Sequence, residues 1–446
     1  MHVLLLCPSS RSTFRSLGVE LPPLGLLYVA AAVRNRGYSV RVIDLSVDSQ
    51  SIAYSEFDVV GIHSDTTRFT EALALARRAK AAGSRVVMGG PHPCFVAEAV
   101  LETGMVDAIV RGEGERTFPD LLDAWSKGDD PALIPGLIVA TPHGTVDTGD
   151  PVHIVDVDSI AFPARDLIDL SNYTRAHLGY RRLASIHTSR GCPHQCRFCS
   201  SSRFDGVRWR ARSAESVLDE LEYLVRALHY GAVTFVDDNF TGSPERIHAI
   251  CDGILSKGLD IHWWCFCRID TIVRHPDMIR HMALAGATSI FTGVETPSPG
   301  VLKHLNKGIN PDQARQAVEI LKENGLEIWA SYILGAPEEG RQDIRSTIRF
   351  ACELDSHIAQ FTLLTPYPGT VLYDELERRI TERDWRKFDA LHAVYRHARM
   401  SRLELQLWLV WAYVSFYTRH TKARTDFLRF LVNRRRRGAA SAAFEA

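Results

Sequence analysis

The chain has 446 residues, room for about three domains of ordinary size and for a core that needs no disulfide or metal staple. Apolar residues make up 46% and charged residues 24%, which excludes collagen, wholesale disorder and a disulfide mini-scaffold. Lys and Arg number 52 against 53 Asp and Glu, a net charge of −1, so there is no whole-protein basic field for nucleic acid. The apolar start Met1–Cys7 is too short for a signal peptide and lacks a basic flank. No run reaches the roughly 18 apolar residues of a spanning helix. The chain reads as cytoplasmic, and its nine cysteines as thiols or metal ligands rather than disulfides.

In chain order, His2–Cys7 is a continuous apolar run, the mark of a strand buried on both faces. Further strands are predicted at Ser39–Asp44, Val59–His63, Arg85–Met88 and Val106–Val110. Helical spacing falls between them at Leu24–Arg36, Phe69–Ala82 and Phe95–Leu101, and after them at Glu115–Lys127. This alternation predicts a Rossmann-like, doubly wound α/β domain over residues 1–130, with ligands at the carboxyl ends of its strands. Residues 131–181 read as a linker. A second alternation begins near Arg182. Its strands are predicted at Leu183–Thr188, Ala232–Asp237, His262–Arg268, Ser289–Gly293, Glu327–Leu334 and Ile358–Leu364. Five helical stretches separate them, which predicts a partial (β/α)6 TIM-like barrel over 182–375. Residues 376–446 read as a helical carboxyl-terminal region with a basic end.

The strongest chemical signal is the loop Thr188-Ser-Arg-Gly-Cys192-Pro-His-Gln-Cys196-Arg-Phe-Cys199, directly after a predicted strand. Three thiolates at this spacing converge from one loop, and soft ligands select iron–sulfur clusters or zinc. Three ligands leave one iron of a four-iron cluster open. Structural zinc usually shows two separated ligand pairs, and no second C-x2-C occurs; His194 is the other candidate for a fourth zinc ligand.

At these residues the chain resembles the radical SAM superfamily, whose three-cysteine loop carries an aromatic before the last cysteine, here Phe198. The resemblance implies a [4Fe-4S] cluster on Cys192, Cys196 and Cys199. Its open iron would chelate S-adenosylmethionine (SAM), whose reductive cleavage gives a 5′-deoxyadenosyl radical. It also implies SAM contacts at Phe198, at Asp237 and Asp238 in Phe235-Val-Asp-Asp-Asn239, at Arg268, at Glu295 in Gly293-Val-Glu295, and at Leu334 in Tyr332-Ile-Leu-Gly335. Thr365-Pro-Tyr-Pro-Gly-Thr370 matches the last barrel loop. Each has a plainer reading: strand-end acids cap helices, and Arg268 can pair with an acid. Cys265 and Cys267, on one face of a strand, are core thiols or a second metal site.

No G-x-G-x-x-G follows the first strand, where Cys7-Pro-Ser-Ser stands instead. Leu21-Pro-Pro-Leu-Gly, Gly61-Ile-His-Ser64, Gly89-Gly90-Pro-His-Pro and Arg111-Gly112-Glu113-Gly-Glu resemble the cobalamin-binding domain that precedes the barrel in one large radical SAM subfamily. The resemblance implies cobalamin contacts at Ser64, Gly89, Gly90, Gly112 and Glu113. The D-x-H-x-x-G motif that supplies a lower cobalt ligand elsewhere is missing, which leaves His63 and His92 as candidates or a cobalamin with no protein ligand. A domain that binds nothing is the plain alternative.

Between Arg396 and Arg437 the sequence is basic, and Leu403–Tyr417 is apolar nearly all round. That stretch reads as a packed helix, a lid over a large apolar substrate, or an interfacial anchor with Arg434–Arg437 near anionic lipid. The resemblance implies a cobalamin-dependent radical SAM enzyme that methylates an unactivated carbon of a small molecule. An external donor such as flavodoxin or ferredoxin would supply the electron. Oxidative cyclisation, as in the anaerobic magnesium-protoporphyrin ester cyclases, is the near alternative, and a non-catalytic corrinoid carrier the distant one. A methylthiotransferase would need a second cysteine triplet, and only Cys7 and Cys94 stand in the amino-terminal region.

Overall fold

Burial on both faces makes the run His2–Cys7 an interior strand, β1, of the first sheet. Val3, Leu5 and Cys7 face one core, and Leu4 and Leu6 the other. The computed structural model describes residues 1–9, 20–173 and 182–419. Around β1 stand β2 (Ser39–Asp44), β3 (Val59–His63), β4 (Arg85–Gly89), β5 (Ala108–Val110), β6 (Leu137–Thr141) and β7 (Gly144–Asp147). Their order is β2-β1-β3-β4-β5-β6-β7. The first five are parallel, and β6 and β7 add an antiparallel hairpin. Helices Leu24–Asn35 and Gly114–Lys127 cover one face; Phe69–Ala81 and Ala97–Leu101 cover the other. The hairpin lies within 131–181, the stretch read as a linker, and joins its first residues to the sheet. Its four- and five-residue strands are too short for alternation to stand out.

The second sheet is all parallel, in the order β15-β14-β13-β12-β11-β8. The strands are β8 (Leu183–Ile186), β11 (Ala232–Phe235), β12 (His262–Phe266), β13 (Ala287–Glu295), β14 (Glu327–Leu334) and β15 (Ile358–Leu363). β8 and β15 are not bonded to each other, so the barrel is open. Between β8 and β11, the short pair β9 (Ser189–Arg190) and β10 (Arg210–Ala211) brackets the cysteine loop. Outward-facing strand residues such as Trp263, Cys265, Ile290 and Ile328 pack with the surrounding helices in one core. Cys265 and Cys267 are both buried in it, and Cys267 shares a hydrogen-bond contact of 3.2 Å with Thr241.

One expectation for the carboxyl-terminal region changes and another holds. Residues 377–401 are mostly irregular, with short 3-10 turns at Glu377–Arg379 and Trp385–Lys387, not continuously helical. The helix Arg402–Tyr417 is packed on the barrel, as the first of its three readings has it, and lines neither cavity described below. It packs against the free edge of β15. There the Tyr413 hydroxyl takes the N–H and meets the carbonyl of Phe361 (3.3 and 3.0 Å), and Tyr417 does the same at Ala359 (3.2 and 3.1 Å). Leu405, Leu409, Ala412 and Phe416 are buried; Leu403, Leu407, Val410, Trp411 and Val414 are exposed on its outer side. Arg434–Arg437 lie outside the described residues. Among the described residues no helix is long and apolar enough to cross a membrane.

Candidate active site

The cysteine loop is tied down at both ends. At its start, the buried Asp237 Oδ1 accepts hydrogen bonds from Thr188 N (2.9 Å), Thr188 Oγ1 (2.9 Å) and Ser189 Oγ (2.6 Å). Gly191 follows at φ 82°, and a Cβ there would stand 2.4 Å from the Arg208 carbonyl. Only glycine lets the two arms of the loop approach so closely. Cys192 N donates to Gly206 O (3.1 Å), Cys199 N to Cys196 O (3.0 Å) and Arg197 N to Leu305 O (3.1 Å).

The three thiols line one cavity of about 350 Å³ at the carboxyl end of the second sheet. Burial pushes the Cys192 and Cys199 thiols up. Bound metal is what returns such thiols to thiolate. Among the described residues no three His, Cys, Asp or Glu side chains are grouped tightly enough for a single metal ion. Three soft donors distributed on one cavity wall fit a cluster held at three corners.

The same cavity is lined by Phe198, Asp238, Arg268, Glu295 and Lys307. Glu295 ends β13 in the left-handed region at φ 65°, after a register shift in the ladder with β14. Strain of that kind persists where the surroundings enforce it. Here Lys307 Nζ holds the Glu295 carboxylate at 2.5 Å, with both side chains largely buried. Gly293 makes room for the pair: a Cβ there would lie 2.3 Å from Glu295 Oε1 and 2.6 Å from Lys307 Nζ. The ammonium also stands 5.7 Å from the Phe198 ring centroid. Arg268 reaches the cavity, but its Nε pairs with Asp270 (2.9 Å) and its Nη2 donates to Lys307 O (3.2 Å). Asp238 is exposed to the cavity, and burial of its surroundings raises its pKa.

Two SAM candidates lie elsewhere. Asp237 is fully buried behind the wall, committed to Thr188 and Ser189, because the strand-end acid ties the loop's backbone. Leu334 faces the outer core, and its neighbour Ile333 is the residue on the wall. Lys307 was missed by sequence reading. It sits in the turn after the helix Pro299–His304, and nothing local marks it.

A second cavity, about 230 Å³, opens at the carboxyl ends of β3, β4 and β5. Gly61, His63, Gly89, Gly90 and Gly112 line one side. His187, Arg190, Phe204 and Asp205, which flank the cysteine loop, line the other. A Cβ on Gly89 would meet nothing nearer than Val110 O at 3.8 Å. Protein packing therefore does not demand glycine there, and a bare strand end fits the flat face of a macrocycle. Burial lowers the pKa of His63, so its imidazole is neutral. His92 is turned away: it packs between Phe69 and Trp385, at 4.2 and 4.6 Å between ring centroids, and Nδ1 bonds Thr66 Oγ1 (3.1 Å). Ser64 is also buried behind the crevice, with Oγ donating to Asp65 O (2.8 Å). Glu113 is on the wall, but its carboxylate is spent between the two halves of the molecule. It pairs with Arg210 Nη1 at 2.5 Å and accepts from Ile154 N at 2.7 Å. Arg190 pairs with Glu115 across the same face.

Comparison with known proteins agrees with this geometry. A B12 binding domain model matches residues 11–122, and the Radical SAM superfamily model matches residues 186–351. The chain is 35% identical to the uncharacterized methyltransferase PH0819 of Pyrococcus horikoshii, over 100% of this chain and 99% of that protein. It is 28% identical to the anaerobic magnesium-protoporphyrin IX monomethyl ester cyclase of Rubrivivax gelatinosus, over 91% of this chain and 75% of that one. In fold it is similar to the radical S-adenosylmethionine methyltransferase TsrM of Kitasatospora setae, solved with cobalamin and a [4Fe-4S] cluster. The TM-score is 0.70 at 22% identity, covering 84% of this chain and 74% of that one. With its three-cysteine loop on an open parallel barrel and a glycine-lined sheet ahead of it, the chain belongs to the radical SAM enzymes that carry a B12-binding domain.

Proposed function

We propose that the protein is a cobalamin-dependent radical SAM methyltransferase that places a methyl group on an unactivated carbon of a small molecule. One observation carries this reading: the far wall of the glycine-lined crevice is built from the flanks of the cysteine loop, so the two cavities are neighbours. When bound, the cluster and SAM supply hydrogen abstraction from carbon, and the corrin supplies a transferable methyl group. Cys192, Cys196 and Cys199 would hold the cluster. Glu295, fixed by Lys307, would orient the nucleoside beside Phe198, Asp238 and Arg268. Gly89, Gly90 and Gly112 would let the corrin lie on the strand ends, with the neutral His63 beside it. The chain's contribution is to fix positions and keep water out.

The likeness to PH0819 along the whole chain supports methyl transfer, and the likeness to the cyclase supports oxidative cyclisation with the same cofactors as a second reading. An external donor such as flavodoxin or ferredoxin would deliver the electron. The exposed Leu403, Leu407, Val410, Trp411 and Val414, followed by a basic sequence, support peripheral contact with a membrane surface.

The test is anaerobic expression with cobalamin supplied, then counting of metals and products. About one cobalt and four irons per chain are expected. Under reduction, SAM should yield both S-adenosylhomocysteine and 5′-deoxyadenosine. Iron without cobalt removes the methyl carrier and sinks the reading. 5′-Deoxyadenosine without S-adenosylhomocysteine moves it to cyclisation.

A further inference from the structure

Strand alternation sends every second residue of β12, β13 and β14 into the open barrel. The outward set, Trp263, Cys265, Ile290, Ile328 and Ala330, is fully buried under the helices. The inward set behaves differently. Trp264, Phe266, Phe291 and Trp329 belong to none of the hydrophobic cores and stay partly exposed. A closed barrel fills this space with its own side chains. Here four large aromatic rings stand on the inner face, packed on one another, and two of them, Phe266 and Phe291, reach the cavity.

The rings form a closed circuit. Centroids are 5.5 Å apart for Trp264 and Phe266, 4.9 Å for Phe266 and Phe291, 5.5 Å for Phe291 and Trp329, and 6.2 Å for Trp329 and Trp264. Phe266 and Phe291 are part of the wall of the 350 Å³ cavity that holds the three thiols, and Trp264 and Trp329 pack against them. Its neighbours on the wall, Ser331, Ile333, Thr362, Leu363 and Leu364, are uncharged. The cations of the cavity are engaged: Lys307 with Glu295 at 2.5 Å and Arg268 with Asp270 at 2.9 Å.

We infer that this aromatic circuit is the substrate wall, and that it selects an uncharged, largely hydrocarbon or aromatic ring skeleton and rejects an anionic one. The inference rests on the proposed radical SAM reading of the same cavity and names the substrate class for it. Phe266 and Phe291, backed by the two indoles, offer an apolar surface with edge geometry that a ring system can join. A carboxylate entering this wall would lose its water and find no uncommitted cation among the residues that line it.

The test uses the anaerobically reconstituted full chain and two pyrene probes, the neutral 1-pyrenemethanol and the anionic 1-pyrenecarboxylate. Binding is read as energy transfer from tryptophan to pyrene. The neutral probe should bind at least about tenfold tighter. Phe291→Ser and Trp329→Ser should each weaken it by a similar factor and shrink the preference. Trp411→Ser, on the exposed face of the last helix, should leave it unchanged. The comparison of probes on the unmodified chain needs no variant to fold. Equal or tighter binding of the carboxylate overturns the inference, as does loss of binding in Trp411→Ser alone. SAM cleavage is scored separately. A chain that cleaves SAM yet prefers the anion overturns only the substrate class; one that selects the neutral probe yet cleaves no SAM supports the wall and overturns the function.

Discussion

The two cavities occupy the same kind of position, the carboxyl end of a parallel sheet, but they are built from different material. The barrel cavity is made by side chains: three thiols, a lysine–glutamate pair and a ring of aromatics. The crevice of the first sheet mixes apolar side chains with glycines at its strand ends, and its Glu113, Glu115 and Arg190 are spent joining the two halves. Chemistry done by side chains fails when one atom is removed. A site made by shape fails when one is added. The two regions should therefore respond oppositely to substitution.

The largest effect tests that split directly. Cys196→Ala should lose its iron and all SAM cleavage above background while keeping about one cobalt per chain; loss of both metals together would show that the two sites form one unit. Next comes the joint between them. Arg210→Met leaves the buried Glu113 carboxylate without its 2.5 Å partner and should cost about 3–5 kcal/mol of stability in a denaturant titration. Lys307→Met removes the ammonium that fixes Glu295, a charge-assisted contact of about 1.5–3 kcal/mol, so KM for SAM should rise about tenfold to a hundredfold with cobalt content unchanged. On the crevice side, Gly89→Ala should fold normally, because its Cβ would meet nothing nearer than Val110 O at 3.8 Å, yet weaken cobalamin binding by about tenfold.

The smallest effect is in pH. Burial, helped by Asp238, pushes Asp205 up to about 7 from the ordinary 3.8. Below about pH 4 its carboxyl is protonated folded or unfolded and costs nothing. As pH rises towards 7 the unfolded chain ionises first, so folding is penalised increasingly, and the penalty levels off above the folded pKa. Asp205→Asn should therefore gain on the natural chain by on the order of 1 kcal/mol between about pH 5 and pH 7, read from the two melting curves. A gain that shrinks with pH would contradict the sign.

The same contrast governs what could be read before any coordinates. Both parallel sheets were legible, since buried strands announce themselves as apolar runs; β1 and β15 lie where the pattern puts them. The cysteine loop was legible because its ligands are close in sequence. Leu334 sits in the predicted strand and Asp237 two residues past the end of its own, but a strand end has an inside and an outside, and local sequence does not say which residue turns inward. Lys307 was hidden because its meaning depends on Glu295, twelve residues and one helix away. His92 and Glu113 look like ligands in sequence; only packing shows one wedged between rings and the other acting as a tie. The hairpin of β6 and β7 was missed because its strands are short.

The last helix has a consequence for how the chain can be handled. Two phenols, Tyr413 and Tyr417, occupy amide and carbonyl groups along the outer rim of β15. They act as a stopper on a surface that would otherwise recruit a neighbouring molecule strand to strand. A protein shortened to end before Arg402 would keep every residue of both cavities, yet would carry a sticky seam down its side. Self-association, rather than failed chemistry, is how such a fragment would betray the loss.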